Sequence, residues 1–122
     1  MRARPASVGK LRAAAAQAAG RVGADAELQH RIALVVSEAA SNAVIHAYRH
    51  AEAPGEIRLS IAVDDQARLC VSVADDGPGM TPRPDSPGLG IGLPLIAELA
   101  DDLQVITDHG TTMVMRFALP VA

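Results

Sequence analysis

Glu38 and Asn42 lie four residues apart and are the first pair whose residue types could do chemistry. Apolar residues around them recur at the helical period, so both side chains project from one side of a predicted helix, at the edge of its apolar stripe. A carboxylate there can accept a proton or orient a nucleophile, and an amide oxygen is a hard ligand that suits Mg²⁺. Taken alone, the pair could also be a solvated glutamate and a surface asparagine.

A second candidate follows a predicted strand, where the chain reads Asp75-Asp76-Gly77-Pro78-Gly79. A carboxylate fixed at the end of a strand can accept a hydrogen bond from an exocyclic amine. Glycines spaced by two allow the backbone to approach a flat ligand closely, because they lack Cβ atoms. A tight turn is the alternative, since Asp-Gly and Pro-Gly are strong turn dipeptides.

A third candidate is the glycine run Gly88-Leu89-Gly90-Ile91-Gly92, which opens a predicted helix. Glycines at a helix start expose N–H groups and the positive end of the helix dipole to a phosphate. The run lacks the form and the preceding strand of a dinucleotide fingerprint, and the chain contains no P-loop sequence.

The fourth candidate is the segment Gly110-Thr111-Thr112, which starts the last predicted strand. Alone, it indicates only a hairpin turn.

These candidates must be positioned by three helices and two hairpins. The predicted elements are a helix capped by Ser7 and ending near Ala19, a helix capped by Asp25 and ending near Tyr48, strands Ile57–Val63 and Leu69–Ala74, a helix from near Gly90 to near Asp101, and strands Gln104–Thr107 and Thr111–Leu119. This order predicts an α+β fold: a two-layer α/β sandwich with a mixed, mainly antiparallel sheet and helices on one face. We expect one domain over residues 1–122, and a small, mildly polar second sheet face that a partner could cover.

The composition narrows the function classes. The 122 residues are 49% hydrophobic and 20% charged, which excludes a disordered tail. A net charge of −3 and 2% aromatic residues disfavour direct nucleic-acid binding. Cys70 is the only cysteine, and no apolar run approaches the ~18 residues of a membrane span, so we expect a cytoplasmic protein without a disulfide or membrane contact.

The four candidates together, in this order, resemble the N, G1, G2 and G3 boxes of the histidine-kinase-like ATPase superfamily (the GHKL or Bergerat ATP-binding fold). The stretch SEAASNAVIHAY, residues 37–48, is especially similar to the bacterial anti-sigma-factor serine kinases of that superfamily. The resemblance covers about residues 25–119. It implies an ATP-binding domain of the Bergerat type, with ATP and Mg²⁺ as cofactors.

The resemblance also implies roles for single residues. Asn42 would ligate the Mg²⁺ that bridges the ATP phosphates, and Glu38 would be the general base or would orient the attacking hydroxyl. Asp75 would receive the adenine amino group, with Gly77 and Gly79 shaping the adenine pocket.

The remaining roles concern the phosphates and the far side of the adenine site. The glycines Gly88, Gly90 and Gly92 would hinge a lid over ATP and present amides to phosphate. A hydroxyl of Thr112, or of its neighbour Thr111, would support the adenine site.

The chain departs from the family pattern at two segments. The lid, residues 80–87, is short and without lysine, so Arg83 is its one cation that could reach a terminal phosphate; a solvated loop arginine is the alternative. The anti-sigma group commonly opens with an edge strand, whereas Met1 to Ser7 is too short and proline-broken to form one. That departure leaves open a homodimer contact that such a strand would build.

The function that the resemblance implies is that of an ATP-dependent protein serine kinase and anti-sigma factor of a partner-switching system. It would phosphorylate an anti-anti-sigma protein of the STAS type and otherwise hold a sigma factor. Two alternatives stay open: a non-catalytic module that binds ATP, and a histidine-kinase catalytic domain acting in trans. His30-Arg31 mimics the start of a phosphoacceptor box, but no dimerisation helix pair precedes it, and His46 is expected to be a partly buried structural histidine.

Overall fold

The computed structural model of the chain describes residues 5–50, 55–75, 89–107 and 110–119, where the elements follow the predicted order. The helices and strands are α1 Pro5–Arg21, α2 Ala26–His50, β1 Ile57–Val63, β2 Arg68–Asp75, α3 Leu89–Leu99, β3 Asp102–Ile106 and β4 Thr111–Ala118. None of the described helices is long and apolar enough to cross a lipid bilayer.

The two predicted helix caps have different outcomes. The backbone N–H of Leu28 donates to Asp25 Oδ1 at 2.8 Å, so the predicted cap of α2 is confirmed. The prediction that Ser7 caps α1 is wrong, because α1 already begins at Pro5 and Ser7 is buried inside it. Proline has no N–H to satisfy and its φ suits the first helical turn, so the helix starts earlier than the serine indicates. The described part of the opening segment is therefore helical.

The sheet has the strand order β1-β2-β4-β3, and all three pairings are antiparallel. Helix α1 contacts β1, α2 contacts β2, and α3 contacts β3, while α2 also contacts both of its neighbouring helices. The three helices therefore lie side by side over the sheet. This arrangement confirms the predicted α+β two-layer sandwich with helices on one face. The described strand pairs are all antiparallel, so the sheet is not mixed within the described residues.

Alternation along the central strands divides the sheet into a core face and an open face. Every second residue of β2 and β4 is buried, and these residues pack with the apolar stripe of α2: Leu69, Val71, Val73, Met113, Met115, Phe117, Ile32, Val35, Val36 and Ala39. The opposite face carries the predicted smaller residues, which are half-buried or exposed: Ala62, Cys70, Ser72, Val114 and Ala118. The core face is therefore the one on which a site between helix and sheet must lie.

The turn between β1 and β2 is organised by one carboxylate. Asp64 Oδ1 accepts hydrogen bonds from the backbone N–H groups of Gln66 and Arg68, each at 2.9 Å, and Asp64 Oδ2 lies 3.1 Å from Arg68 Nε. The Arg68 backbone N–H is the main reason that the pKa of Asp64 is lowered; desolvation opposes it, and the Gln66 N–H and the Arg68 guanidinium act with it. The ionised carboxylate therefore stabilises the hairpin.

Asp64→Ala should lower the midpoint of thermal unfolding at neutral pH. Because folding depresses this pKa, the stabilisation is present above the unfolded value of about 3.9 and is lost as the pH falls through the folded value. The midpoint of thermal unfolding should therefore fall less between neutral and acidic pH for the variant than for the parent. Asp65→Ala, which removes the neighbouring exposed carboxylate, is the control and should leave both quantities unchanged. Equal behaviour of the two variants would contradict the role of Asp64.

Candidate functional site

The pair predicted from the sequence lies on α2, one helical turn apart. Glu38 is half-buried, whereas the Asn42 side chain is only 3% exposed. Asn42 Nδ2 is buried and has no hydrogen-bond partner within the described part of the chain. Leaving a buried polar group without a partner costs about 1–3 kcal/mol. A buried amide without a hydrogen-bond partner, close to a carboxylate, is suited to binding a polar ligand.

The chemistry of this amide fits a metal-bound phosphate. Rotation of the amide about its last side-chain bond exchanges oxygen and nitrogen, so the same position can present Oδ1 to a cation or Nδ2 to a phosphate oxygen. No group of three or more His, Cys, Asp or Glu residues that could hold a metal occurs among the described residues. Mg²⁺ usually takes one or two protein ligands and completes its shell with water and substrate phosphates. A single amide on α2 is therefore a suitable ligand for Mg²⁺ that arrives with a nucleotide.

The second cluster joins the end of β2 to the start of β4. Asp75 and Thr111 are direct partners in the sheet register, and both belong to the set of alternating residues that faces the helices. Thr111 is 4% exposed. Thr112 pairs with Ala74 and lies on the opposite, open face, because side chains alternate along a strand. Of the two threonines that the sequence left as alternatives, Thr111 is the one on the face of Asp75.

Two contacts orient the helices along the sheet. Arg31 of α2 reaches the end of α3 at Leu99, and the backbone N–H of Asp101, just beyond α3, donates to the Arg116 carbonyl late in β4 at 2.9 Å. The first half of α2 and the end of α3 therefore lie near the C-terminal end of β4. The Asp75–Thr111 pair occupies the opposite end of the sheet.

The second half of α2 extends from there towards the Asp75–Thr111 end. Its alanines stay buried against the core around Asn42, so this half of the helix remains packed rather than projecting into solvent: Ala39, Ala40 and Ala43. Helix α3 ends at the far end of β4, so its start, with Gly90 and Gly92 in the first turn, lies towards the same side as Asn42. The fold therefore directs the Glu38–Asn42 pair, the Asp75–Thr111 pair and the glycine-bearing start of α3 towards one end of the sheet.

Part of the predicted site lies outside the described residues. These positions are Gly77, Gly79, Arg83 and Gly88, together with the lid over residues 80–87; the side chain of His46 is outside as well. Their predicted roles stay predictions.

The contact of Arg31 with α3 was not predicted. The sequence indicates Arg31 only as part of a phosphoacceptor motif, whereas Arg31 Nη1 donates to the Leu99 carbonyl at 3.3 Å. The spacing of seven and eleven residues to Glu38 and Asn42 places all three on neighbouring positions of one helix side. That spacing was the one feature of the sequence that could have pointed to it.

Comparison with known proteins tests the resemblance on which these assignments depend. The sequence model of the family described as "Histidine kinase-like ATPase domain" matches residues 1–117. The chain belongs to this family. Serine-protein kinase RsbW of Bacillus mycoides strain KBAB4 is 32% identical over 120 residues, which is 86% of this chain and 73% of the relative. The anti-sigma F factor of Heyndrickxia coagulans is 27% identical over 93 residues, or 67% of this chain and 63% of that protein.

Solved structures give the same result for this histidine kinase-like ATPase. The histidine kinase domain of the Erythrobacter litoralis EL346 blue-light activated histidine kinase matches with a TM-score of 0.67 and 30% identity. The match covers 93% of the present chain, which spans 60% of that chain. The predicted superfamily is thereby confirmed, and membership implies the use of ATP.

Proposed function

We propose that this histidine kinase-like ATPase is an ATP-dependent protein serine kinase that also acts as an anti-sigma factor in a partner-switching system. The observation that carries the proposal is the buried amide of Asn42, unpaired in the described structure, one turn from the carboxylate of Glu38. A fold that only binds a nucleotide does not need a carboxylate at that place. The names of the relatives, serine-protein kinase RsbW and anti-sigma F factor, support the same activity.

In the proposed reaction the serine oxygen of a partner protein forms a bond to the γ-phosphorus of ATP. The bond between that phosphorus and the bridging oxygen breaks, and ADP leaves with the electron pair. The serine hydroxyl must lose its proton as its oxygen attacks, and Glu38 accepts that proton. Asn42 would hold Mg²⁺, which neutralises phosphate charge when bound.

The nucleotide would be oriented by the other end of the sheet. Asp75 would accept a hydrogen bond from the adenine amino group, and Thr111 would support the same pocket from the adjacent strand. The backbone N–H groups at the start of α3 would face the phosphates, where the helix dipole favours negative charge. Gly77, Gly79, Gly88 and Arg83 keep the roles that the resemblance implies.

The proposed partners are an anti-anti-sigma protein of the STAS type, which carries the acceptor serine, and a sigma factor. The anti-sigma F factors among the relatives support the second partner. The protein would act in the cytoplasm, where ATP and sigma factors occur, as a monomer or a homodimer.

A second candidate is a histidine-kinase catalytic domain that acts in trans. The structural match to a histidine kinase domain at 30% identity favours it. The chemical stability of the product separates the two candidates, because a phosphoserine survives acid whereas a phosphohistidine hydrolyses in acid.

The deciding experiment incubates the protein with labelled ATP, Mg²⁺ and the purified products of neighbouring genes. We expect acid-stable label on one of them, in an STAS-type protein. Acid-labile label on the partner would favour the histidine kinase. ATP binding without transfer to any partner would favour a non-catalytic module and contradict the kinase.

Asp75→Ala should remove the preference for adenine. Adenine has an amino donor where guanine has a carbonyl, so Asp75 can accept from ATP and repels GTP. Losing one charge-assisted hydrogen bond costs about 1.5–3 kcal/mol, which is about tenfold to a hundredfold in ATP affinity. Calorimetric titrations of ATP and GTP into parent and variant measure it, with Asp65→Ala as the surface-carboxylate control. Equal affinities of the parent for both nucleotides would exclude the proposed role.

A further inference from the structure

We propose that Arg31 is a positioning residue: it fixes the end of α3 against α2 so that the glycine-bearing start of α3 is held where ATP binds. The inference rests on the proposed function in one respect, that the phosphates meet the start of α3. It requires no phosphate transfer, so nucleotide binding alone can test it.

The first step is the contact itself. Leu99 is the last residue of α3, and its carbonyl oxygen accepts a hydrogen bond from Arg31 Nη1 at 3.3 Å. The last carbonyls of a helix have no intrahelical partner and carry the negative end of the helix dipole. A guanidinium is therefore a favourable cap for this helix end. Among the described residues, this is the one side-chain hydrogen bond that joins α2 to α3.

The second step concerns the free-energy cost of burying the Arg31 guanidinium. Arg31 Nε is buried and has no hydrogen-bond partner within the described ranges, and the arginine forms no ion pair there. A buried, unpaired N–H of a charged group is destabilising. An apolar residue would fill the space between α2 and α3 without that cost, so packing alone does not account for an arginine at this position.

The third step links this end of α3 to the site. Just beyond α3, Asp101 donates its backbone N–H to the Arg116 carbonyl, and Asp101 Oδ2 accepts from the Ala118 N–H at 2.6 Å. The end of α3 is thus fixed to β4 on one side and to α2, through Arg31, on the other. Because α2 also holds Glu38 and Asn42, the Arg31 contact sets the helix of the phosphate-facing amides relative to the helix of the reacting groups.

The test compares ATP affinity and amide exchange in the full chain. Arg31→Met keeps much of the side-chain volume and removes every donor, and Arg31→Lys keeps one charged donor for the Leu99 carbonyl. Arg12→Met, at an exposed arginine of α1, controls for loss of positive charge. Leu11→Ala, at a buried position of α1 remote from α3, controls for a general loss of stability. Mg-ATP binding is measured by calorimetry. Amide exchange is measured throughout the chain by hydrogen–deuterium exchange, and residues 89–99 are compared with β4.

We expect Arg31→Met to weaken ATP binding about threefold to tenfold, where tenfold corresponds to about 1.4 kcal/mol. Relative to the parent, amide exchange should speed up more in α3 than in β4. Arg31→Lys should recover part of the affinity, and both α1 controls should bind ATP as the parent does. The inference is overturned if Arg31→Met binds ATP within twofold of the parent, or if Leu11→Ala loses as much affinity. Should Arg31→Met not fold, Arg31→Lys with faster exchange in α3 and parental affinity would equally overturn it, because a loosened α3 would then leave ATP binding unchanged.

The two proposals fail in different ways. A parent protein that binds ATP but phosphorylates no partner contradicts the kinase, while the affinities of the Arg31 variants still decide the positioning role. A parent that binds no ATP contradicts both.

Discussion

Glu38→Gln should abolish nearly all phosphate transfer to the protein substrate and yet bind Mg-ATP within a few-fold of the parent. A general base acts mainly in the transition state, so its loss affects the rate more than ground-state binding. General-base catalysis contributes about 10²–10⁴ in rate. Glutamine has nearly the same shape and can still accept a hydrogen bond, so the half-buried position should tolerate the change.

The measurement pairs single-turnover transfer from labelled ATP with calorimetric ATP binding, in the presence of the protein partner. Glu27→Gln removes an exposed carboxylate from the first turn of the same helix and should change neither quantity. Transfer by Glu38→Gln at the parental rate would remove Glu38 from the mechanism.

Asn42→Ala should lose Mg²⁺-dependent ATP binding and phosphate transfer together, while the free protein stays as stable as the parent or becomes more stable. The amide nitrogen is buried without a described partner, so its removal relieves a desolvation cost of about 1–3 kcal/mol. Against this gain stands the small cavity left by the side chain. A substitution that stabilises the free protein and removes ligand binding is expected where the original side chain is retained for its ligand.

Gln29→Ala is the matched control, because Gln29 is a second amide on α2 and its Nε2 donates to the Ala24 carbonyl at 2.9 Å. Removing this satisfied amide should lower stability by about 0.5–1.5 kcal/mol and leave ATP binding unchanged. Chemical denaturation without nucleotide and calorimetry with Mg-ATP give both quantities for both variants. If Asn42→Ala bound ATP normally, the amide would be structural and the proposed metal ligand would be wrong.

Local physics decides which parts of the fold could be predicted from the sequence. The apolar period of α2, the Asp25 cap and the alternation of β1 and β2 are encoded within short windows, and the structure has them. The prediction that α1 starts at Ser7 was wrong. Pro5 and Ser7 both favour a helix start, and the helix begins at the proline.

The candidate site could be predicted only as far as motifs extend. Glu38, Asn42 and Asp75 are predicted from motif order. Only the register of β2 against β4, which no single segment contains, shows that Thr111 and not Thr112 shares the face of Asp75. The contact of Arg31 with Leu99 joins residues 68 positions apart and depends on how two helices pack. Such contacts arise from tertiary structure, and local patterns carry no information about them.

The strand order β1-β2-β4-β3 has a consequence for how the protein is made. Strand β4 comes last among the described elements, but it lies between β2 and β3, and it carries the threonine that pairs with Asp75. During synthesis on the ribosome, β2 therefore presents an unpaired edge until α3, β3 and β4 have emerged. The Asp75–Thr111 pair, which we propose to bind adenine, forms only when this most distant strand inserts. If the proposal holds, a nascent chain cannot gain stability from ATP until almost all of the described sequence is available.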